Sequence, residues 1–170
     1  VGDIGSVILF DTLVRRVSAK RDIIHRAMPR DASIENVKPI YDLWRYIRSV
    51  SKTVADEDGL VTAASLYYYT KKYSLPLSLA VGVAQTESNF RKNALSNVGA
   101  AGPMQVMWKY HYGLLQANGI STRDQLFDPE LGVAAGCLIL SRYLRAEQSV
   151  LGGLRRYYGV LSNNYVGTVY

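Results

Sequence analysis

Leu77-Ser78-Leu79-Ala80-Val81-Gly82-Val83-Ala84-Gln85-Thr86-Glu87-Ser88 is the most apolar segment of the chain and sets the architecture expected around it. It follows Ser74-Leu75-Pro76, which sets a proline at the start of a new helix, where its missing N–H would be unpaired anyway. Leu77, Leu79, Ala80, Val81, Val83 and Ala84 leave almost no polar side, so the pattern predicts a helix buried in the middle of a domain. Ala80, Val83, Ala84 and Glu87 fall on one face of it. A carboxyl group at the end of such a face loses solvation, which disfavours its charged form and raises its pKa. A general acid working near neutral pH needs that property. The alternative for these residues alone is a buried glutamate satisfied by hydrogen bonds or by an arginine. The other glutamates have ordinary readings: Glu35 and Glu130 are first-turn acids, Glu57 belongs to an acidic loop, and Glu147 is a solvated residue near a helix end. Glu87 is thus expected to be the one glutamate on a buried apolar face.

Outward from this helix the chain reads as helical nearly throughout, and no stretch alternates convincingly as a strand. Phe10, Leu13, Val14, Val17, Ile24 and Met28 form one stripe ended by Pro29. Val37, Ile40, Trp44, Ile47 and Val54 form a second, capped by Asp31 or Ser33. Asp56-Glu57-Asp58-Gly59 reads as a loop and a fresh start, with a helix continuing to about Lys72. Residues 91–103 are rich in Asn, Ser and Gly and read as an ordered loop; helix is expected to resume near Met104 and end near Gly119. Asp128-Pro129-Glu130 supplies cap, first-turn proline and first-turn acid for a helix carrying Val133, Cys137, Leu140 and Leu144. A last helix covers about 150–158. The expected organisation is an all-α domain at 59–170 preceded by a helical extension at 1–58.

Composition narrows the function. Apolar residues make up 48% of the 170, enough for a real core. The longest apolar run, Leu77 to Ala84, is interrupted by Ser78 and Gly82 and is too short to cross a bilayer. The sequence begins at Val1, so a removed signal peptide or anchor is compatible with it. The single cysteine, Cys137, sits in an apolar run and reads as a small buried hydrophobe; His25 and His111 read as structural or surface residues, and a zinc site is poorly supported. The net charge of +6 has a basic cluster near the amino end (Arg15, Arg16, Lys20, Arg21, Arg26, Arg30). This suits an anionic polymer or surface, or simply solubility. Without a basic block interleaved with aromatics, nucleic acid is a weak candidate partner. Tyrosine is abundant at 13 residues; Tyr67, Tyr68, Tyr69, Tyr73, Tyr110 and Tyr112 offer faces for sugars. Three consecutive tyrosines cannot share one helix face, so at least one of the triplet is core.

Beyond Glu87 the sequence continues Ser88-Asn89-Phe90, then Ser96-Asn97-Val98-Gly99-Ala100-Ala101-Gly102-Pro103-Met104-Gln105-Val106-Met107. This resembles the soluble lytic transglycosylase family, whose pattern is a catalytic Glu-Ser followed by Ser-x-x-Gly-Ala-x-Gly-x-Met-Gln. Asp128-Pro129-Glu130-Leu131-Gly132-Val133-Ala134-Ala135-Gly136 looks like the family's Asp-Pro, helix, Ala-Gly segment. Leu154-Arg155-Arg156-Tyr157-Tyr158 looks like its Leu-x-x-Tyr-Asn motif, with Tyr158 in place of Asn, and Asn163-Asn164-Tyr165-Val166 replaces the commoner Gly-Pro stretch. The likeness spans roughly residues 60–170. It implies a lysozyme-like, mainly helical domain with a groove for a peptidoglycan strand. An exported protein of the cell envelope is expected, with no cofactor, and the sparse His and Cys content predicts that it needs no metal. It implies that Glu87 protonates the glycosidic oxygen after N-acetylmuramic acid and then serves as base. Ser96, Gln105 and Met107 match positions lining the sugar groove, and Tyr157 matches the tyrosine near the catalytic carboxylate. Each has a plainer alternative: Ser96 a turn residue, Gln105 an amide bonding the loop backbone, Met107 core, and Tyr157 a packed aromatic.

The absence of any Asp or Glu between Glu87 and Asp124 bears on reaction type. Most glycosidases use two carboxylates. With one, the substrate's own acetamido oxygen can steady the developing cation, and its 6-hydroxyl, held close, can displace the leaving group in place of water. Asp56 or Asp58, brought in by the fold, would weaken this reasoning. The rivals are a hydrolytic muramidase of the goose-lysozyme type and a catalytically silent glycan-binding or assembly module. Domains resembling this one also serve secretion, conjugation and phage assemblies.

Overall fold

The computed structural model describes residues 34–159. The expectations for the stripe ending at Pro29, the basic cluster before it and Asn163-Asn164-Tyr165-Val166 lie outside the described residues. Within them the protein is mainly helical: α1 (Ile34–Val50), α2 (Asp56–Lys72), α3 (Leu77–Ser88), a short hairpin β1 (Ala100–Ala101) and β2 (Val106–Met107), α4 (Trp108–Ala117), a 3-10 turn (Arg123–Phe127), α5 (Pro129–Glu147) and α6 (Val150–Tyr157).

Val37, Ile40, Trp44 and Ile47, spaced three and four apart, are all buried along α1, whereas Val54, expected as the last member of the stripe, lies half-buried beyond the helix end at Val50. They join α2, α3, α5 and Leu154 of α6 in one apolar core. Tyr46 of α1 donates a hydrogen bond to Gln85 of α3 at 2.6 Å, and Asn89 Nδ2 donates to the Val50 carbonyl at 3.3 Å. The helix placed before the domain therefore shares its core.

The centre of that core corrects one expectation. α3 buries only Ala80, Val83, Ala84 and Ser88, and Leu77, Leu79 and Val81 are half-covered. The helix buried nearly all round is α2, from Gly59 through Tyr67, with Tyr69 and Thr70. Its composition hides this, because Ser65 and Thr70 look polar. Their hydroxyls turn back onto the helix, to the Val61 carbonyl at 2.7 Å and the Leu66 carbonyl at 2.6 Å, and so enter the core satisfied. Within the tyrosine triplet, Tyr67 and Tyr69 are buried and Tyr68 is half-buried.

α5 is the wall shared by two cores. Val133, Cys137 and Leu140 face the first. Ala135 and Ile139 face a second, built with Ala101, Val106, Leu115, Ile120 and Leu126. The Asp128 carboxylate caps α5 by accepting from Leu131 N–H at 2.9 Å, and Ser149 caps α6 by accepting from Gly152 N–H at 2.9 Å.

The segment after α3 differs from expectation as well. Helix does not resume at Met104. Ala100 and Ala101 pair antiparallel with Met107 and Val106, and α4 starts at Trp108. Gly102 (φ +80°) and Gln105 (φ +49°) are left-handed, which ends any helix and closes the hairpin turn. Strands of two residues have no alternation to detect.

Candidate functional site

The end of α3 meets the hairpin through Ser88. Its hydroxyl donates to the Pro103 carbonyl at 2.6 Å, next to the turn. α3 stops there because Asn89 (φ 53°) and Phe90 (φ 64°) are both left-handed, sending their N–H groups back to the Gln85 and Ala84 carbonyls. Phe90 is then fully buried, which fixes the direction in which the chain leaves.

The hairpin turn rests on α5 at two glycines one helical turn apart. A Cβ at Gly132 would lie 2.6 Å from Pro103 Cδ, and one at Gly136 would lie 2.5 Å from Met104 Cβ and Sδ. No larger residue permits this approach. Gln105 braces the turn from within, its Nε2 donating to the carbonyls of Ala94 and Gly102 at 3.0 Å each. Ser96 closes the preceding loop: its backbone N–H donates to the Ala100 carbonyl, and its Oγ accepts from Ala100 N–H, both at 2.9 Å. Met107 is half-buried where β2 becomes α4.

Tyr157 approaches from α6. Its hydroxyl donates to the Met104 carbonyl at 2.8 Å, and its ring packs against both cores. Burial raises its pKa well above the usual tyrosine value, and the nearby charge of Glu87 raises it further. Glu87 and Tyr157 are therefore electrostatic neighbours, and Tyr157 stays a proton-bearing donor at any working pH.

Glu87 sits half-buried at the end of α3, with its pKa raised from 4.5 to about 7 by burial alone. A second carboxylate close by would add like-charge repulsion, and none among the described residues contributes. Asp56 pairs with Arg48 at 2.8 Å and Asp58 with Lys92 at 2.9 Å. Near neutral pH the Glu87 carboxyl is poised between giving and taking a proton.

The expectation that Glu87 is the one glutamate on a buried face needs correction. Glu130, only 2% exposed, is buried more deeply. Its Oε1 accepts a hydrogen bond from Tyr69 at 3.1 Å, and its place in the first turn of α5 suits a negative charge. A first-turn glutamate normally points to solvent, so no local pattern signals this burial. The role of Ser88 was also missed, though its place beside Glu87 was the available signal. His111 and Tyr143 were missed too: they meet at 3.2 Å, and the Tyr143 ring stands edge-on to Tyr157 with centroids 6.5 Å apart. Only folding brings these residues of α4, α5 and α6 together. Among the described residues, no three His, Cys, Asp or Glu side chains cluster as metal ligands. Cys137 is fully buried and its pKa is pushed up to about 12, which makes it inert.

Comparison with known proteins bears on the same segment. The family described as "Transglycosylase SLT domain" matches residues 66–157, from the middle of α2 to the last residue of α6. A "Membrane-bound lytic murein transglycosylase C" of Yersinia pestis (strain Pestoides F) is 35% identical over 102 residues, covering 55% of this chain and 28% of the relative. The protein of the same name from Yersinia pseudotuberculosis serotype O:1b (strain IP 31758) gives the same figures. The match thus spans little more than a quarter of these curated relatives. No solved structure matches.

Proposed function

The chain belongs to the transglycosylase SLT domain family, and we propose that it is a peptidoglycan lytic transglycosylase with Glu87 as its single catalytic acid and base. The observation that carries this reading is the state of Glu87: a half-buried carboxyl, raised to about 7 by burial alone, beside a protonated tyrosine. The printed name of the relatives, lytic murein transglycosylase, supports the substrate class.

In this reading the protonated Glu87 donates to the oxygen linking N-acetylmuramic acid to the next sugar. The C1–O bond breaks as the acetamido oxygen of the same muramic acid residue stabilises C1. The glutamate, now a carboxylate, takes the proton from that sugar's 6-hydroxyl, whose oxygen attacks C1. A 1,6-anhydro end forms, Glu87 is protonated again, and no water is consumed. Tyr157 holds the Met104 carbonyl and limits the solvent that reaches Glu87. Ser96 and Met107 line the glycan groove. The Ser96 oxygen accepts from Ala100 N–H, which leaves the hydroxyl hydrogen to donate to a sugar. The amide donors of Gln105 are spent on the loop, so its contribution is to hold the turn in shape.

A wall polymer as substrate puts the protein in the cell envelope, in accord with "membrane-bound" in the relatives' name. None of the described helices is long and apolar enough to cross a membrane. The net charge of +6 favours approach to an anionic wall or membrane surface. The test is Glu87→Gln assayed by clearance of purified sacculi. General acid catalysis contributes about 10²–10⁴-fold, so activity should fall at least that far in a folded protein. A variant that keeps more than a tenth of wild-type clearance would remove Glu87 from the mechanism.

A further inference from the structure

Side chains of three helices meet at Tyr143, beside Tyr157, and Tyr143, His111 and Arg156 carry no role in the chemistry above. Tyr143 of α5 stands edge-on to the Tyr157 ring, centroids 6.5 Å apart and planes at 75°. His111 of α4 meets the Tyr143 hydroxyl with its Nε2 at 3.2 Å. The Arg156 guanidinium lies over the Tyr143 ring, 4.6 Å from its centroid, and is itself paired with Glu147 at 3.1 Å. The Tyr143 ring is thus fixed at its hydroxyl by α4 and on its face by α6.

Tyr157 needs such support. α6 has only eight residues and Tyr157 is its last, in a turn that would fray if left alone. Its hydroxyl reaches a single acceptor, the Met104 carbonyl. Its ring packs against both cores and is met edge-on by Tyr158 and Tyr143, and of these two flanking rings Tyr143 is the one brought in by another helix. His111 is suited to hold Tyr143. Burial and the nearby charge of Arg156 both lower its pKa, which keeps the ring neutral and able to accept at Nε2 in one tautomer.

We infer that Tyr143, clamped by His111 and Arg156, is a positioning residue: it holds Tyr157 against the Met104 carbonyl and so keeps water from the Glu87 carboxyl. This rests on the catalytic reading for its effect on rate, but its effect on Glu87 is independent of that reading. The experiment uses the full chain in four variants. Tyr143→Leu removes ring and hydroxyl, Tyr143→Phe removes only the hydroxyl, His111→Ala removes the acceptor, and His111→Gln restores one. Glu87 is titrated through its side-chain carboxyl carbon by nuclear magnetic resonance, and kcat and KM are measured on soluble glycan-strand fragments.

Tyr143→Leu should lower the Glu87 pKa by about one or more, towards the ordinary value, as water enters. It should cut kcat about tenfold with KM nearly unchanged, because a displacement of about an ångström disturbs the reacting geometry more than binding. Tyr143→Phe and His111→Ala should show smaller losses, and His111→Gln should recover most of the wild-type values. Val37→Ala, a core truncation in α1, serves as a destabilised comparison and should leave the Glu87 titration unmoved. A folded Tyr143→Leu with wild-type Glu87 titration overturns the inference whether or not the protein cleaves glycan. So does a kcat loss in His111→Gln equal to that in His111→Ala. If the titration responds as stated but wild type yields no cleavage, the catalytic reading fails and the positioning role stands.

Discussion

Replacing Glu87 by glutamine should stabilise the protein, and only above a definite pH. The carboxyl has a pKa of about 7 in the fold against 4.5 when unperturbed, a gap of about 2.5. At about 1.4 kcal/mol per pKa unit this corresponds to about 3 kcal/mol, and partial solvent access reduces it to about 2 kcal/mol. The sign follows from the direction of the shift. Below the unfolded value, Glu87 is protonated in both states and there is no penalty. As pH rises from 4.5 to about 7 the unfolded chain ionises first, so folding must hold a proton or bury a charge, and stability is lost progressively. Above that the loss is constant. Glutamine imitates the protonated acid at every pH. Urea unfolding of wild type and variant in parallel, at about pH 4, 5.5 and 8, isolates this residue because other carboxylates cancel in the difference. The variant should match wild type at the lowest pH and gain about 1 M in midpoint at the highest, for a denaturant slope of about 2 kcal/mol per M. A gain that is absent at high pH, or equally large at low pH, would show that Glu87 is not held in a desolvating site.

The two glycine environments predict opposite outcomes for the same change. At Gly136 the new methyl would stand 2.5 Å from Met104, so Gly136→Ala should cost about 1–3 kcal/mol and push the Met104 carbonyl away from Tyr157. At Gly82, in the middle of α3, nothing lies within 4 Å, and Gly82→Ala should instead stabilise by about 0.5–1 kcal/mol. Differential scanning calorimetry on both variants checks the contrast. Removal of residues 1–58 deletes Val37, Ile40, Leu43, Trp44 and Ile47 from the core. At about 1.5–3 kcal/mol each this rivals the whole stability of a typical domain, so the shorter chain should lack a cooperative unfolding transition.

How much of this was legible in the sequence depended on the length and regularity of each signal. The stripes of α1 and α5, the Asp128 cap and the break at Ser74-Leu75-Pro76 are local patterns, and the helices begin and end close to where they point. The central place of α2 was hidden because Ser65 and Thr70 satisfy their hydroxyls within the helix, which hydropathy cannot register. The hairpin was missed because its strands have two residues each and the left-handed turn residue Gln105 carries no intrinsic preference for that conformation. At the site, the apolar run ending in Glu87 foretold a desolvated carboxyl. The clamp on Tyr157 was out of reach, since His111, Tyr143 and Tyr157 lie on three helices joined only by the fold.

In the proposed reaction one carboxyl works with the substrate's own hydroxyl in place of water. Mass spectrometry of a complete digest of purified sacculi tests it directly. A 1,6-anhydro muramic acid end is lighter by one water than a hydrolysed end and resists borohydride reduction. Nearly all new ends from the wild-type protein should be of this anhydro form. Predominantly hydrated, reducible ends would contradict it and identify a hydrolytic muramidase.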